Sequence, residues 1–360
     1  MRILQLIDTL DTGGAERMAV SYANALIRRT GYAAVVATRR TGPMAALLDP
    51  GVRFLVLGKK RALDIPALFK LRKWVVAEKI TLIHAHSTSL FFATLLKCTL
   101  PSVRIVWHDH YGDSEFLEKR PSTLIRLCLP FTWKAIAVNH RLVDWLRSLG
   151  YQNVTYLPNF PATATTLDTP TFLAGAEGKR IVCLANFREQ KDHLSLLEAA
   201  GIFFSQKPEW SLHLVGKDFH DPYSDNVKHV VADDSRLKGR VYFYTASFDS
   251  LAILSQADIA VLSSRSEGLP VALLEYGLMG KAVITTPVGE IPHIIQHQHN
   301  GLLVAVGDTA CFADELLRLS EDGQLRAALG EQLQKKVAGE FSEEAVISSY
   351  FRLLEHKRNE

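Results

Sequence analysis

Short apolar segments alternate with amphipathic helical patterns along nearly the whole chain, and this alternation limits the possible folds more than any other feature. Strands separated by helices cannot pair as hairpins, so the pattern predicts parallel βαβ units and a doubly wound α/β sheet. Helical patterns lie between the strand candidates and also close the chain. They are, for example, 15–28, 65–78, 122–131 and 141–149 in the first half, and 193–204, 247–254, 271–279, 309–320, 324–339 and 343–356 in the second. The strand candidates are 3–7, 34–38, 53–57, 82–84, 104–107, 135–138 and 154–156, then 180–184, 211–215, 240–243, 259–262, 282–285 and 301–304.

One segment interrupts the alternation. It runs from Pro158 to Pro170, is rich in proline and threonine and has no apolar period, which is typical of an interdomain linker. A chain of 360 residues is long enough for two domains. We therefore predict one Rossmann-like domain over 1–160 and a second over 171–342, with the last helix, 343–356, packing back on the first. Ligands of such sheets bind beyond the carboxyl ends of the strands, in the cleft expected between the halves.

The composition excludes several classes of protein. The four cysteines lie far apart, which fits reduced thiols better than a disulfide framework or a zinc site. The N-terminus lacks the features of a signal peptide, and no stretch approaches the roughly 20 apolar residues of a spanning helix. These features predict a cytoplasmic protein, attached at most to the surface of the membrane's inner face.

The charge is distributed unevenly. Residues 1–160 hold 22 basic and 11 acidic side chains, a balance of +11, whereas the whole chain carries only +3. Such asymmetry indicates different partners for the two halves. An apolar helical pattern with Phe69 and Trp74 carries much of the charge, which suits an anionic membrane, although a solvated helix face would look the same. No nucleic-acid-binding motif accompanies the basic side chains, which are Lys59, Lys60, Arg61, Lys70, Arg72 and Lys73.

The stretch from Ser263 to Glu275 carries the most chemical information. A buried strand candidate ends there in a small polar turn. Gly268 permits close approach of the backbone, and Pro270 stands where the first turn of a helix tolerates proline. The helix that follows would point its unpaired N–H groups and the positive end of its dipole at a ligand, which suits a diphosphate. Glu267 before the helix and Glu275 within it could accept hydrogen bonds from hydroxyls of a sugar or ribose.

This stretch resembles the signature S-x-x-E-G-x-P of the retaining glycosyltransferase family 4, whose members have the GT-B fold of two Rossmann-like domains. In that family the first glutamate lies by the donor sugar and a second glutamate binds the nucleotide ribose. The matching positions are Glu267 and Glu275. The resemblance implies donor contacts along the whole stretch, through Ser266, Glu267, Gly268, Leu269, Pro270, Val271 and Glu275.

A second match lies upstream, after the strand candidate that ends at Leu184. The family has an arginine and a lysine three residues apart in this loop, and they grip the donor diphosphate. Arg188 and Lys191 occupy those places. Fixed cations would stabilise the negative charge that develops on a departing diphosphate. Ala185 stands where the family often has glycine.

The third match is a glycine-rich loop after the first strand, with Gly13 and Gly14. It resembles the family loop whose backbone approaches the donor phosphate and the reacting centre. A dinucleotide site would instead need G-x-G-x-x-G with an acidic residue about 20 positions later, and neither is present.

Two pairs of histidines follow strand candidates and are therefore expected to open onto the cleft. In the family a histidine after the corresponding strand contacts the donor sugar, and we predict His110 in this role, with His108 as the alternative. His84 and His86 are predicted to support acceptor binding or packing, and His108 is also an acceptor candidate. A metal site is not expected, because no further ligand or supporting residue is evident.

One loop departs from the family pattern. Residues 285–293 resemble G-G-x-P-E, but Glu290 replaces the second glycine and His293 replaces the glutamate. The family role of this loop therefore does not carry over. No D-x-D motif of metal-dependent glycosyltransferases is present, and Asp233 with Asp234 is predicted to lie in a solvated loop.

The resemblance implies an enzyme that moves a sugar from a nucleotide-sugar, UDP-linked by family frequency, to a glycan or lipid-linked glycan acceptor in polysaccharide synthesis. It implies retention of the anomeric configuration without a metal or another cofactor, since the nucleotide-sugar is a co-substrate. Catalytic roles fall to His110, Glu267, Arg188 and Lys191. The alternatives are a sugar-nucleotide epimerase of the same fold, a non-catalytic sugar-nucleotide-binding protein and, opposed by the missing fingerprint, an NAD-dependent oxidoreductase.

Overall fold

The computed structural model describes residues 1–161, 171–245 and 249–355. The chain divides into two compact units. One consists of Met1–Asn159 together with the chain from Val346 onward, and the other is Phe160–Ala345. Most of the predicted linker, residues 162–170, lies outside the described residues, as do residue 247, where one predicted helix begins, and residue 356, where the last one ends.

The first unit is built on a seven-stranded parallel sheet with the order β3-β2-β1-β4-β5-β6-β7. Helices cover both faces of such a sheet, so its central strands are continuous apolar runs. The sequence Ala34-Val35-Val36-Ala37, for example, is fully buried. The strands are β1 (Ile3–Thr9), β2 (Ala34–Arg40), β3 (Arg53–Val56), β4 (Leu82–His86), β5 (Arg104–Asp109), β6 (Lys134–Ala137) and β7 (Val154–Tyr156).

The helices of this unit begin and end at recognisable signals. Gly31 ends the first helix in the left-handed region, at φ 71°, and donates its N–H to the carbonyl of Ile27. The Asn139 side chain caps another helix by accepting the N–H of Leu142. The helices are α1 (Gly14–Thr30), α2 (Ile65–Ala77), α3 (Leu90–Thr99), α4 (Thr123–Cys128) and α5 (His140–Ser148).

Four strands of this unit, β1, β2, β4 and β5, are longer than predicted, and two of the extensions include histidines. Strand β4 continues to His86 and β5 to Asp109, so His86 and His108 are strand residues, like His84, which already lay in a predicted strand. All three are fully buried. The expectation that both pairs open onto a cleft is wrong for these three, and only His110 follows its strand.

The second unit contains a six-stranded parallel sheet with the order β10-β9-β8-β11-β12-β13. Its core lies between the sheet and the flanking helices, with Phe203, Trp210 and Leu316 among the buried side chains. The two parallel sheets confirm the predicted α/β fold class. The strands are β8 (Arg180–Leu184), β9 (Ser211–Val215), β10 (Val241–Tyr244), β11 (Ile259–Leu262), β12 (Ala282–Thr285) and β13 (Leu302–Leu303).

Two helices of the second unit, α7 (Pro222–Asp233) and α10 (Ile291–Ile294), were not predicted. A capping box between Asp221 and Ser224 starts α7, and Asp233 is its last residue. Asp233 therefore lies in a helix and not in the predicted loop, while Asp234 follows it and pairs with Arg236. The remaining helices are α6 (His193–Phe204), α7 (Pro222–Asp233), α8 (Ser250–Ser255), α9 (Val271–Leu278), α10 (Ile291–Ile294), α11 (Thr309–Glu321), α12 (Gly323–Glu340) and α13 (Glu343–Glu355).

Most of α13 belongs to the first unit, although the strands of the second unit precede it in the chain. Its Tyr350 is fully buried. The Tyr350 hydroxyl lies 3.1 Å from Nδ1 of His84, and its ring packs edge-on 5.1 Å from the ring of Tyr22 in α1. Among the described helices, none combines the length and apolar character needed to cross a bilayer.

Tyr276 of α9 ties the ends of two central strands together. Its buried hydroxyl accepts the N–H of Leu184 at 2.7 Å and donates to the carbonyl of Val261 at 3.3 Å. We expect Tyr276→Phe to lower the free energy of unfolding by about 1–3 kcal/mol, because the N–H of Leu184 loses its partner in a dry environment. Denaturant unfolding of the two proteins side by side measures this change.

The matched control is Tyr242→Phe. The Tyr242 hydroxyl donates to the carbonyl of Gly239 at an exposed site, where water can replace it. This change should alter the free energy of unfolding by about 0.5 kcal/mol or less. Equal losses in the two variants would contradict the role given to the Tyr276 hydroxyl.

Candidate functional site

The neighbouring strands β8 and β11 of the second unit bring two predicted loops together. One follows β8 and contains Arg188 and Lys191, and the other follows β11 and contains Glu267. The Ser263 hydroxyl donates to the carbonyls of Lys191 at 3.0 Å and Asp192 at 3.1 Å. The N–H of Arg265 donates to the carbonyl of Gln190 at 2.8 Å. These contacts hold the two loops in one fixed arrangement.

Asp192 organises the turn at the centre of this arrangement. Its backbone is left-handed at φ 50°, a conformation that aspartate tolerates better than most residues. Its side chain caps α6 through Ser195, and its two oxygens accept from the Arg265 guanidinium at 2.8 and 3.2 Å. Neither Asp192 nor Arg265 was among the predicted site residues. An aspartate just before a helical pattern is a capping signal that could have identified the first of them.

Lys191 and Glu267 form a short ion pair between the two loops. Lys191 Nζ lies 2.6 Å from Glu267 Oε1, and the Ser264 hydroxyl donates to the same oxygen at 2.7 Å. The Glu267 side chain is 4% exposed and that of Lys191 is 18% exposed. The carboxylate is therefore fixed in the interior, while the ammonium lies nearer the surface, where an anion could reach it.

The second glutamate lies in the same unit and is also buried. Glu275 is a residue of α9 and accepts a hydrogen bond from the Ser250 hydroxyl at 3.1 Å. Ser266 is also fully buried. Glu267 thus precedes the helix and Glu275 lies within it, as the sequence pattern predicted.

The start of α9 can offer backbone donors to an anion. Pro270 precedes its first residue, Val271, and provides no side-chain cap. The first N–H groups of a helix lack intrahelical partners and carry partial positive charge. Arg188 lies three residues before Lys191, and its carbonyl accepts the N–H of Lys191. The exposed guanidinium of Arg188 lies 4.8 Å from the centre of the Phe219 ring.

The loop that departs from the family pattern supports this region through its backbone. The N–H of Glu290 donates to the carbonyl of Gly268 at 2.9 Å. The Glu290 side chain is buried and lies 3.3 Å from Nδ1 of His293. Gly289 has φ 57° and packs directly against the backbone of Glu267. The unusual residues of this loop therefore leave its structural contact with the Glu267 turn in place.

The first unit contains a cluster of four stacked histidines, which we call the histidine ladder: His84, His86, His108 and His110. Residues 84 and 86 alternate on β4, beside 108 and 110 on and after β5, so all four rings project from one face of the sheet. His84 Nε2 lies 3.2 Å from His108 Nδ1, and His86 Nδ1 lies 3.0 Å from His110 Nε2. His86 Nε2 also lies 2.8 Å from Gln5 Oε1.

Burial keeps the histidine ladder neutral. It lowers the pKa of His110 to about 3 and the pKa values of His84, His86 and His108 well below 6.5. Fully buried rings cannot contact a bound ligand without rearrangement, so in this structure His84, His86 and His108 act as packing and hydrogen-bonding residues. Of the four, His110 is the one that is partly exposed.

The ladder also defines where a metal could bind. One nitrogen from each of His84, His86 and His108 lies within 4.8 Å of the others. A zinc ion would need all three nitrogens at about 2.0–2.1 Å from itself. In the structure the first and third rings are instead hydrogen-bonded to each other.

The turn after β5 is rigidly held beside His110. Asp109 and Arg120 form a bidentate ion pair at 2.6 and 2.8 Å, with both side chains largely buried. Asp109 also accepts the N–H of Tyr111. At the other predicted loop, Gly13 precedes α1 in an extended conformation, and a Cβ on Gly14 would meet nothing within 4 Å. Open space beside Gly14 is compatible with an approaching ligand.

The tight contact at Gly289 gives a testable consequence. A Cβ there would lie 2.2 Å from the Glu267 carbonyl oxygen and 2.6 Å from that of Gly268. Gly289→Ala must therefore displace the Glu267 turn, and we expect a loss of about 1–3 kcal/mol in the free energy of unfolding. Gly307→Ala is the control, because Gly307 has a similar positive φ of 79° but open space around it. If Gly289→Ala and Gly307→Ala lose the same free energy of unfolding, the close contact between Gly289 and the Glu267 turn does not affect stability.

Comparisons with known proteins identify what the chain is similar to. The chain is 26% identical over 301 residues to N-acetyl-alpha-D-glucosaminyl L-malate synthase of Bacillus anthracis, covering 80% of this chain and 77% of that one. It is 24% identical over 328 residues to the Escherichia coli UDP-Gal:alpha-D-GlcNAc-diphosphoundecaprenol alpha-1,3-galactosyltransferase, covering 84% of each chain. The structure of Anabaena HepE in complex with UDP and glucose superimposes with a TM-score of 0.81 at 18% identity, over 99% of both chains.

Two family models match successive parts of the sequence. Residues 12–163 match "Glycosyltransferase Family 4", and residues 178–322 match "Glycosyl transferases group 1". Together they cover every strand of the two sheets except β1, and all of the predicted site residues. The chain therefore belongs to glycosyltransferase family 4 and has its two Rossmann-like domains of the GT-B type.

Proposed function

We propose that this glycosyltransferase moves a sugar from a UDP-sugar to a glycan or lipid-linked glycan acceptor, with retention of the anomeric configuration and without a metal. The observation that carries the proposal is the Lys191–Glu267 pair, held at 2.6 Å next to the turn before α9. It sets a cation for the diphosphate beside a carboxylate for the sugar before any substrate binds.

The second unit supplies most of the donor contacts in this proposal. The diphosphate lies against Arg188, Lys191 and the first N–H groups of α9, where both charge and unpaired donors favour an anion. Glu267 accepts from a hydroxyl of the sugar. Glu275 accepts from the ribose, and the neighbouring backbone from Ser266 to Val271 follows the donor. Gly13, Gly14 and His110 of the first unit contribute to the phosphate and the sugar, as the family resemblance implies.

The reaction breaks the bond between the anomeric carbon and the diphosphate oxygen. The electron pair leaves with the diphosphate, and Arg188 and Lys191 stabilise the charge as it develops. The acceptor hydroxyl attacks the same face of the sugar and gives its proton to a departing phosphate oxygen. When the diphosphate takes the Lys191 ammonium, Glu267 keeps the Ser264 hydroxyl as a donor and remains positioned for the sugar.

The relatives support the choice of substrates. HepE was crystallised with UDP and glucose, and the Escherichia coli relative uses a UDP-sugar with a lipid diphosphate acceptor according to its name. The epimerase alternative would need the donor alone. Incubating the protein with UDP-sugars in the absence of acceptor and looking for free epimer therefore separates the two functions.

Removing either cation should reduce turnover strongly. We expect Arg188→Ala and Lys191→Ala each to lower kcat by about 10²–10³-fold, because each removes stabilisation of the leaving group. Transfer from a UDP-sugar, followed by release of UDP, measures the effect. The donor is chosen by thermal stabilisation across a panel of nucleotide-sugars, since the true donor raises the unfolding temperature most.

The control for these variants is Lys228→Ala. Lys228 lies on α7 in the same unit and pairs with Asp218, outside the proposed site. Its removal should leave kcat within about twofold. Turnover within twofold of wild type in Arg188→Ala and Lys191→Ala would contradict the assignment.

We also propose that α2 binds an anionic membrane surface, as a lipid-linked acceptor requires. Phe69 on α2 and Leu63 just before it are each 58% exposed, and the cations Lys60, Arg61 and Lys73, which lie near them in sequence, are exposed as well. The sequence predicted that Lys59 also belongs to this face, and that prediction is wrong. Lys59 is buried, pairs with Asp8 at 3.2 Å and lies 4.7 Å from the centre of the Phe92 ring.

Vesicles test the membrane proposal. The protein should sediment with vesicles that contain anionic lipid, and high salt should release it because exposed charges are screened. Phe69→Ser should weaken sedimentation, since an apolar anchor is lost. Phe172→Ser is the control, because Phe172 is 78% exposed but belongs to the other unit. Equal sedimentation of wild type with neutral and anionic vesicles would refute the proposal.

A further inference from the structure

The histidine ladder contains two separate hydrogen-bonded chains. In one, the Tyr350 hydroxyl contacts His84, which contacts His108. In the other, Gln5 contacts His86, which contacts His110. The second chain ends at the residue to which the proposed function gives a contact with the donor sugar.

The proton positions in the second chain follow from its first member. Gln5 is fully buried on β1, and its carbonyl oxygen Oε1 faces His86 Nε2 at 2.8 Å. A carbonyl can only accept, so His86 carries its proton on Nε2. A neutral imidazole has one N–H, which leaves His86 Nδ1 as an acceptor. His110 Nε2, 3.0 Å away, must then be the donor.

The last ring therefore has a defined free acceptor. With its proton on Nε2, His110 presents a lone pair at Nδ1. In the part of the chain that the structure describes, this buried nitrogen has no hydrogen-bond partner. We propose that Gln5 and His86 are positioning residues that hold His110 in the Nε2–H tautomer, so that its Nδ1 is the acceptor for a hydroxyl of the donor sugar. Because Nδ1 is buried in the structure, this contact requires the His110 ring to shift towards the sugar when the donor binds. This inference rests on the proposed role of His110 and extends it to the residues behind it.

Burial makes the chain suitable for this purpose. A protonated His86 or His110 would have two N–H groups, and the order of donors and acceptors would be lost. Both rings are kept neutral by desolvation, with the pKa of His110 lowered to about 3. The order of donors and acceptors from Gln5 to His110 is then set by the Gln5 amide, which does not titrate.

Nitrogen NMR of the protein labelled with ¹⁵N-histidine tests the tautomer without any activity assay. The His110 signal is assigned by its loss in His110→Gln. We expect the Nε2–H form in wild type, and a mixture of tautomers or the Nδ1–H form in Gln5→Leu. Tyr350→Phe is the matched control, because it breaks the other chain. It should shift the His84 signal and leave the His110 tautomer unchanged.

Three results would overturn the inference. One is the Nδ1–H form of His110 in wild type, which would mean that the Gln5 amide donates instead. Another is an unchanged tautomer in folded Gln5→Leu, or in the longer Gln5→Met if the leucine variant does not fold. Binding of a metal by the ladder, with loss of both N–H signals, would also contradict it.

Kinetics separate this inference from the proposed function. Gln5→Leu should lower kcat by about tenfold, the value of one hydrogen bond, with little change in the KM for the donor. If the tautomer is as expected but His110→Gln and Gln5→Leu both turn over normally, the sugar contact at His110 is refuted. If the His110 tautomer differs from the expected one while kcat is still low in Arg188→Ala and Lys191→Ala, the inference about Gln5 and His86 is refuted and the proposed transferase site stands.

Discussion

The arrangement of the candidate site depends on one ion pair, that of Lys191 with Glu267. Taking both groups out of water costs several kcal/mol per ion, and geometry must offset this cost. The pair is short, Ser264 donates a second hydrogen bond to the carboxylate, and Ser263 fixes the backbone from which Lys191 projects. A buried pair is weak evidence for stability, but it leaves a cation whose counter-charge an incoming diphosphate can replace.

The position of this pair follows from the order of the strands. In the second unit the chain order reverses between β8 and β11, and in the first unit it reverses between β1 and β4. Loops diverge at such switch points and leave room for a ligand. Lys191 and Glu267 follow β8 and β11, whereas Gln5 and His86 lie on β1 and β4. Each unit therefore places its most unusual polar side chains at its own switch point.

The sequence predicted this framework because apolar periodicity marks parallel strands, and because the family motifs are local. Strands such as Ser211–Val215 and Ile259–Leu262 have the predicted bounds. The sequence could not predict contacts made across strands. The burial of His86 and His108 depends on two strands extending past their apolar residues, and the side chain of Asp192 pairs with the distant Arg265. Lys59 was assigned to the surface because its partner, Asp8, is 51 residues away.

In the proposed site, cations bind the diphosphate of the donor and a neutral histidine contacts its sugar. The diphosphate becomes more negative as its bond breaks, so a permanent cation such as Arg188 favours the transition state. The sugar becomes more positive, so a protonated imidazole beside it would oppose the reaction. A histidine at the sugar must therefore be a neutral hydrogen-bonding group. Burial among other histidines provides this, because desolvation disfavours the charged form of each ring. The pKa of His110, lowered to about 3, keeps its ring uncharged between about pH 5 and 7, a range in which a solvated histidine with a pKa near 6.5 becomes charged.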